Sequence, residues 1–438
     1  MILIDSSLET VNLQLWTLIP FALMLLMIAI APLFMGHWWE KNSNKLIISL
    51  VLGIPTAAFL IYKGLSHELT HQLIFDYIPF IVLLGALFTV TGGIHLKGDI
   101  QAKPWINTLF LGIGAILASI MGTTGAAMLL IRPIIKTNSQ RKYKAHTILF
   151  FIACVANCGG LLTPLGDPPL FLLYLRGIDF TWFLSLLPEW ALANLLLLIT
   201  YFCMDSYYYK KESKENIVKD KSEKVPIRIE GKLNFIWLLG IVLSVAFLNS
   251  GYISIMGENP YFGFLRDGAL ILMATLSLIF TKKIVREKNK FSWTPILEVA
   301  VLFFGIFITM TPALLYLAVN AQNFGFTEPW QFYFTTGALS SFLDNAPTAI
   351  SFYQLAEGSH LIGDVMIAGI PEIIMKAICV GAVFFGSMTY IGNGPNFMVK
   401  AIAEENKISM PSFFGYMIKF SLIILLPIYI IVYLICIY

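Results

Sequence analysis

Two carboxylates stand inside apolar stretches of this chain. Asp167 lies in GLLTPLGDPPLF, which begins at Gly160, and Asp344 lies in SSFLDNAPTAIS, and neither has a basic neighbour in sequence. An ionisable group within a membrane is costly to retain and marks an ion or proton pathway. The first acid shares its region with Thr123, Thr124, Asn157 and Thr163, and the second with Asn345, Thr348, Thr389, Asn393 and Asn396. Hydroxyl, amide and backbone carbonyl oxygens at broken helix ends are what a sodium ion takes as ligands. Each group therefore reads as a candidate cation site built on an acid. Capping gives a plainer account of Asp344, because Asp344-Asn345 directly precedes an Ala-Pro pair that suits a helix N-terminus. The two roles are compatible, since a capping carboxylate can also meet a cation.

These residues sit in elements that occur twice. From Gly160 the chain reads GLLTPLGDPPLF and from Gly386 it reads GSMTYIGNGPNF, which match without a gap at glycine, threonine, glycine, proline and phenylalanine and place Asp167 opposite Asn393. Upstream of each copy lies a second pair, ASIMGTTGAAML and SSFLDNAPTAIS, about 220 residues apart. The order is the same in both halves, as a duplication would leave it. Glycine and proline inside the apolar runs 147–175 and 371–403 must unwind the helix, giving two broken helices. The runs 105–135 and 330–356 are interrupted at GTTGA and at LDNAP. A straight helix of thirty residues would measure roughly 45 Å, longer than the hydrocarbon is thick. Re-entrant hairpins fit better, and their polar tips must be enclosed by protein or line a wet cavity.

Composition agrees. Of 438 residues, 58% are hydrophobic and 13% charged, with a mean hydropathy of +0.78, which predicts an all-α polytopic membrane protein. The net charge of +3 is small and its lysines and arginines cluster between apolar runs, as topology signals rather than a nucleic-acid surface. The five cysteines lie in or beside apolar segments. Cys154 and Cys158 are one helical turn apart without nearby histidine, and read as packing thiols rather than a metal site.

About ten spans and two hairpins are expected in two inverted repeats, 1–204 and 233–438, joined by a flexible cytoplasmic linker over 205–232. That linker carries eight basic residues and six acidic ones. With the N-terminus outside a plasma (inner) membrane, the basic loops fall in the cytoplasm and the acidic flanks of the second hairpin fall outside. Five spans per half then invert the second repeat. The segment 63–71 is expected to be a loop, and His95 and Asp99 are expected to be a solvated pair in the polar loop that follows the third span.

The hairpin tips and the G-x-x-T-x-x-G-[DN]-x-P runs resemble the ion transporter superfamily, which holds sodium-coupled dicarboxylate and citrate carriers, arsenite extruders and NhaD-type sodium/proton antiporters. The resemblance covers nearly the whole chain. NCGGLLTPLGDPP and SSFLDNAPT look closest to the NhaD type, which would put Thr163 and Asp167 in one cation site and Asp344, Asn345 and Thr348 in its counterpart. The carboxylate carriers resemble this plan with Ser-Asn-Thr at each tip, whereas here the tips read Gly122-Thr123-Thr124 and Asp344-Asn345-Ala346.

A dicarboxylate or citrate would sit beside Asp167 and Asp344, and like charges in a low-dielectric site repel unless cations intervene. An antiporter needs acids there. A carboxylate that holds a proton or a sodium ion, but not both, exchanges one for the other, and burial moves carboxylates toward the required titration range. Sodium/proton antiport by alternating access is thus the expected function, with Asp344 as the shared carrier, Asp167 as a fixed cation ligand, and sodium-coupled citrate or dicarboxylate symport as the alternative. Partners on this reading are the lipid bilayer, sodium and protons, with a homodimer allowed, no nucleic acid and no cofactor. An intramembrane aspartyl protease would also use two acids. Its G-x-G-D run fails here, because Pro164 stands at the first glycine.

Overall fold

The computed structural model describes residues 13–222 and 225–438. The first twelve residues, and with them the expected placement of the N-terminus, lie outside the described residues. Nine helices among those described are long and apolar enough to cross a membrane, from Leu15–Pro32 to Phe413–Ile437, and Asn234–Phe247 is a shorter apolar helix. The protein is all-α and polytopic.

The segment 145–175 is a helix, Ala145–Cys154, followed by an unwound stretch and a second helix, Pro168–Leu175. Its counterpart is Glu372–Phe385, a break, and Gly394–Glu405. Prolines at the first or second position start each second half without wasting a donor. Burial separates these crossing segments from the lipid-facing spans. In Ala145–Leu162, 89% of the residues are buried, against 22% of the apolar eighteen-residue stretch within Pro260–Phe280. The crossing segments therefore form the core of the bundle.

The two hairpins are Pro104–Met121 with Thr123–Thr137, and Pro329–Ser340 with Asn345–Gly358. Gly122 turns the first at φ +80°, a conformation open to glycine and strained for other residues. A capping box of Glu328 and Gln331 starts the second.

Ion pairs and loop contacts gather the basic segments on one face. Lys142 and Tyr143 donate their backbone N–H groups to Glu212 at 3.1 and 2.9 Å. Lys288 reaches Glu230 at 2.8 Å, and Lys290 reaches Glu405 at 2.8 Å. Arg141 and His146 both bind the buried Asp205 at 2.7 Å. The outer ends of the first hairpin join this basic face, where Asn107 donates to Asn138 at 2.9 Å and the Ala102 N–H to Asp220 at 3.1 Å. The opposite face holds Asp76, Arg176, Trp182 and Glu372, with Arg176 paired to Asp76 at 2.8 Å and Trp182 donating to Glu372 at 3.1 Å.

Three local expectations change. The segment 63–71 is not a loop, because Ser66–His71 is helical and runs through a π-helical turn, Gln72–Tyr77, into Ile78–Thr91. Charged residues end a hydrophobic run, but they do not end a helix. The loop at His95 is a strand, His95–Asp99, paired antiparallel with Val225–Glu230. The linker is accordingly no free tether: Lys214–Ser222 is helical and the strand docks it. Two distant polar loops satisfy each other's backbone groups, which neither shows alone.

Candidate functional site

The repeated motif explains itself in the unwound stretches. In the first copy the Thr163 hydroxyl donates to the Ser119 carbonyl in the first hairpin and accepts the Leu165 N–H at 3.2 Å. In the second, the Thr389 hydroxyl donates to the Ser341 carbonyl and accepts from Ile391 and Gly392 at 3.2 and 3.1 Å. Each threonine staples its crossing loop to its own hairpin. The glycines permit the approach: a Cβ on Gly166 would strike the Gly160 carbonyl, and one on Gly392 would come within 2.6 Å of the Gly386 carbonyl.

Stapled in this way, the loops bring both repeats to Asp167. Its carboxylate is 1% exposed. Oδ1 accepts from the Thr123 hydroxyl at 2.8 Å and the Asn393 amide at 3.2 Å, and Oδ2 accepts from the Asn345 amide at 2.8 Å. Thr123 stands at one hairpin tip, Asn345 at the other, and Asn393 in the opposite crossing loop. A second layer backs this one. Asn393 also donates to Asn157 at 3.1 Å, Asn157 donates to Asn396 at 2.7 Å, and Asn396 donates to the Gly386 and Thr389 carbonyls at 2.7 and 2.9 Å. All six side chains are buried.

The side chains of the remaining expected site residues do not join this network. Asp344 is half-buried and accepts the Ala346 N–H at 3.0 Å, capping Asn345–Gly358, while the Thr348 hydroxyl donates to the Asp344 carbonyl at 2.8 Å. Thr163 and Thr389 spend their hydroxyls on backbone. Thr124 is half-buried and lines a pocket between the first hairpin tip and the helices Ile78–Thr91 and Thr294–Asn320. Two residues that sequence reasoning passed over also act here. The Ser340 hydroxyl lies 2.7 Å from Asn345 Oδ1 and 2.6 Å from the Ala382 carbonyl, and so turns the Asn345 amide nitrogen toward Asp167. Ser119 receives the Thr163 staple and donates to Gly159. Their position, one turn before each tip, was the available signal.

Electrostatics favours negative charge at this centre. The helices beginning at Thr123, Pro168, Asn345 and Gly394 all point their N-termini inward, and helix N-termini stabilise anions. Asp167 is the N-cap residue of Pro168–Leu175 yet makes no side-chain capping bond. Its carboxylate is thus free for the network. Among the described residues no group of three or more His, Cys, Asp or Glu could hold a metal ion. Cys154 and Cys158 are buried free thiols, with Cys158 3.4 Å from the Tyr429 hydroxyl.

Comparison with known proteins agrees with this architecture. The chain is similar to the inner membrane protein YbiR of Escherichia coli (strain K12), at 23% identity over 296 residues, covering 64% of this chain and 72% of YbiR. A family model described as "Putative citrate transport", CitMHS_2, matches residues 10–437. With that match running almost end to end over a helical bundle whose centre joins its two halves, the chain belongs to the CitMHS_2 family and is a multi-pass secondary transporter.

Proposed function

We propose that this transporter exchanges sodium or lithium for protons and that Asp167 is the group at which the two compete. One observation carries this reading: a buried carboxylate is held between both hairpin tips and both crossing loops by hydroxyl and amide groups alone. A site of this kind is neutral when its carboxylate holds a proton or a sodium ion and negative when it holds neither, so loading and unloading change its charge, and both crossing loops feel that change. The coupling role thereby moves from Asp344, whose carboxylate caps a helix, to Asp167. The NhaD-like runs around Thr163 and Asp344 support the same reaction class.

Access to the site also supports a cation. The pocket beside Thr123 and Gly166 is lined by Leu84, Leu87, Phe88, Leu165 and Pro168, with no lysine or arginine along its wall. A tricarboxylate would need such groups to offset its loss of hydration.

Sodium-coupled citrate symport is the second reading. The family description favours it, and the four inward helix N-termini suit an anion. Everted membrane vesicles carrying an imposed pH gradient separate the two. Sodium or lithium should dissipate the gradient, and labelled citrate should not accumulate with or without sodium. Sodium-dependent citrate uptake without proton exchange would replace the antiport reading with the symport one.

A further inference from the structure

The helix that begins at Asp167 is tied down at its other end. Arg176 closes Pro168–Leu175 and pairs with Asp76 at 2.8 Å, with its side chain 8% and that of Asp76 5% exposed. Just before it, the Tyr174 hydroxyl donates to the Val245 carbonyl at 2.8 Å. The buried Arg266 lies 5.5 Å from the Phe171 ring centre and 5.6 Å from that of Tyr174, within cation–π range. Asp76, Val245 and Arg266 belong to three separate helices outside the crossing segments, so this short helix is anchored to the surrounding spans at the face away from the basic loops.

Its repeat counterpart is held differently. Gly394–Glu405 ends at Glu405, which pairs with Lys290 on the basic face, and there the side chains are 58% and 61% exposed. An exposed pair contributes little and exchanges with water readily, whereas breaking a buried pair strands a charge. The pocket that reaches Thr123 is bounded by Phe88, Pro295 and Ile296, at the helix ends nearest the basic face. One side of the centre is thus bolted and the other is loosely held.

We infer that Arg176 and Asp76, backed by Arg266, form a latch that closes the Asp167 site toward the face opposite the basic loops and that must open in every transport cycle. The inference rests on the transport reading but not on which ion is moved. The latch sits one eight-residue helix from Asp167, so a change of charge at the site and release of the latch act on the same rigid element.

Full-length protein in membrane vesicles tests this, with the exposed Cys203 replaced by serine and a reporter thiol at Leu173→Cys, which is buried in this state. An impermeant maleimide applied from the face opposite the basic loops should label the reporter several-fold faster in Asp76→Asn and in Arg176→Gln, and near the unmodified rate in Arg176→Lys. Combining Asp76→Asn with Arg176→Gln should add less than either alone, as for one shared contact. Unchanged labelling in neutralised protein that reaches the membrane at normal amount would overturn the latch. If the single neutralised variants fail to insert because each strands a buried charge, the double substitution Asp76→Cys with Arg176→Cys, which strands none, joined by a cleavable bifunctional thiol reagent, decides instead. Transport should stop with the bridge intact and return on cleavage, and transport through an intact bridge would overturn the inference. Labelling that responds in a protein that exchanges no sodium would leave the latch standing and remove the antiport reading.

Discussion

Asp167 and Asp344 are the same side chain at the start of two short helices, and they differ in what their oxygens do. Asp344 accepts the Ala346 N–H, whereas Asp167 leaves its helix uncapped and accepts from Thr123, Asn345 and Asn393. Asp167→Asn keeps the size and removes the proton, so sodium-dependent dissipation of a pH gradient should vanish while the protein remains in the membrane. Asp344→Asn should keep exchange, since asparagine caps as well as aspartate, while Asp344→Ala should lower stability by about 1 kcal/mol with activity retained. Thermal unfolding in detergent alongside vesicle assays measures both. Normal exchange by Asp167→Asn with none by Asp344→Asn would return the carrier role to Asp344. The Ser340 hydroxyl is hydrogen-bonded to Asn345, and on the proposed exchange at Asp167 Ser340→Ala should raise the half-maximal sodium concentration roughly tenfold, the scale of loss when an orienting hydrogen bond behind a metal site is removed. An unchanged sodium requirement would show that packing alone orients Asn345.

The repeated elements are legible in sequence because backbone contact leaves a signature. Two backbones that touch at Gly160 and Gly166 exclude a side chain, and a broken helix needs a hydroxyl at Thr163 to occupy its open donors and acceptors. Gly166→Ala should therefore destabilise the protein by an amount at or above the usual 1–3 kcal/mol (roughly) of overpacking, with Gly392→Ala milder because its nearest carbonyl lies farther off. Yield and melting temperature of purified protein give the comparison, and equal losses would refute the contact argument. The linker is the opposite case, since its docking partner lies far away in sequence. Burial alone would raise the Glu212 carboxyl, but the Tyr143 N–H, the Asn216 amide and the Lys142 N–H outweigh it and hold the group below its ordinary value of 4.5. A lowered folded-state pKa means the docking is fully present above that ordinary value and is lost as pH falls through the folded one. The protection factors of the Lys142 and Tyr143 amides against hydrogen exchange should fall in acid below that range, and in Glu212→Gln they should be lower already at neutral pH. Protection that ignores pH would assign the docking to the strand pair instead.

At the scale of the whole molecule, the hairpins enter from opposite faces and meet at one carboxylate. The first has its outer ends among the basic loops. The second has its outer end at Gly358, packed against Ala318 near the far end of Thr294–Asn320. Single cysteines at Ser213 and Ser359 should accordingly react with an impermeant thiol reagent from opposite sides, Ser213 from the cytoplasm. Reaction of both from one side would break the inverted arrangement.

Hydropathy, breaker residues and the spacing of the duplicated runs determined from sequence alone that this is a helical membrane protein with interrupted elements at its centre, because both the membrane and the helix act locally along the chain. They also singled out Thr123, Asn157, Asn345, Asn393 and Asn396, polar groups that an apolar stretch keeps only when something binds them. Only the tertiary structure separated the two acids by what their oxygens contact. Hydrogen bonds that join Asp167 to residues 178 and 226 positions away leave no periodicity, and a capping aspartate looks the same in sequence as one held in a buried polar network. The strand pairing between 95–99 and 225–230 and the buried pair of Asp76 with Arg176 were hidden for the same reason: each satisfies a polar group through a partner that the chain brings near only after it has folded.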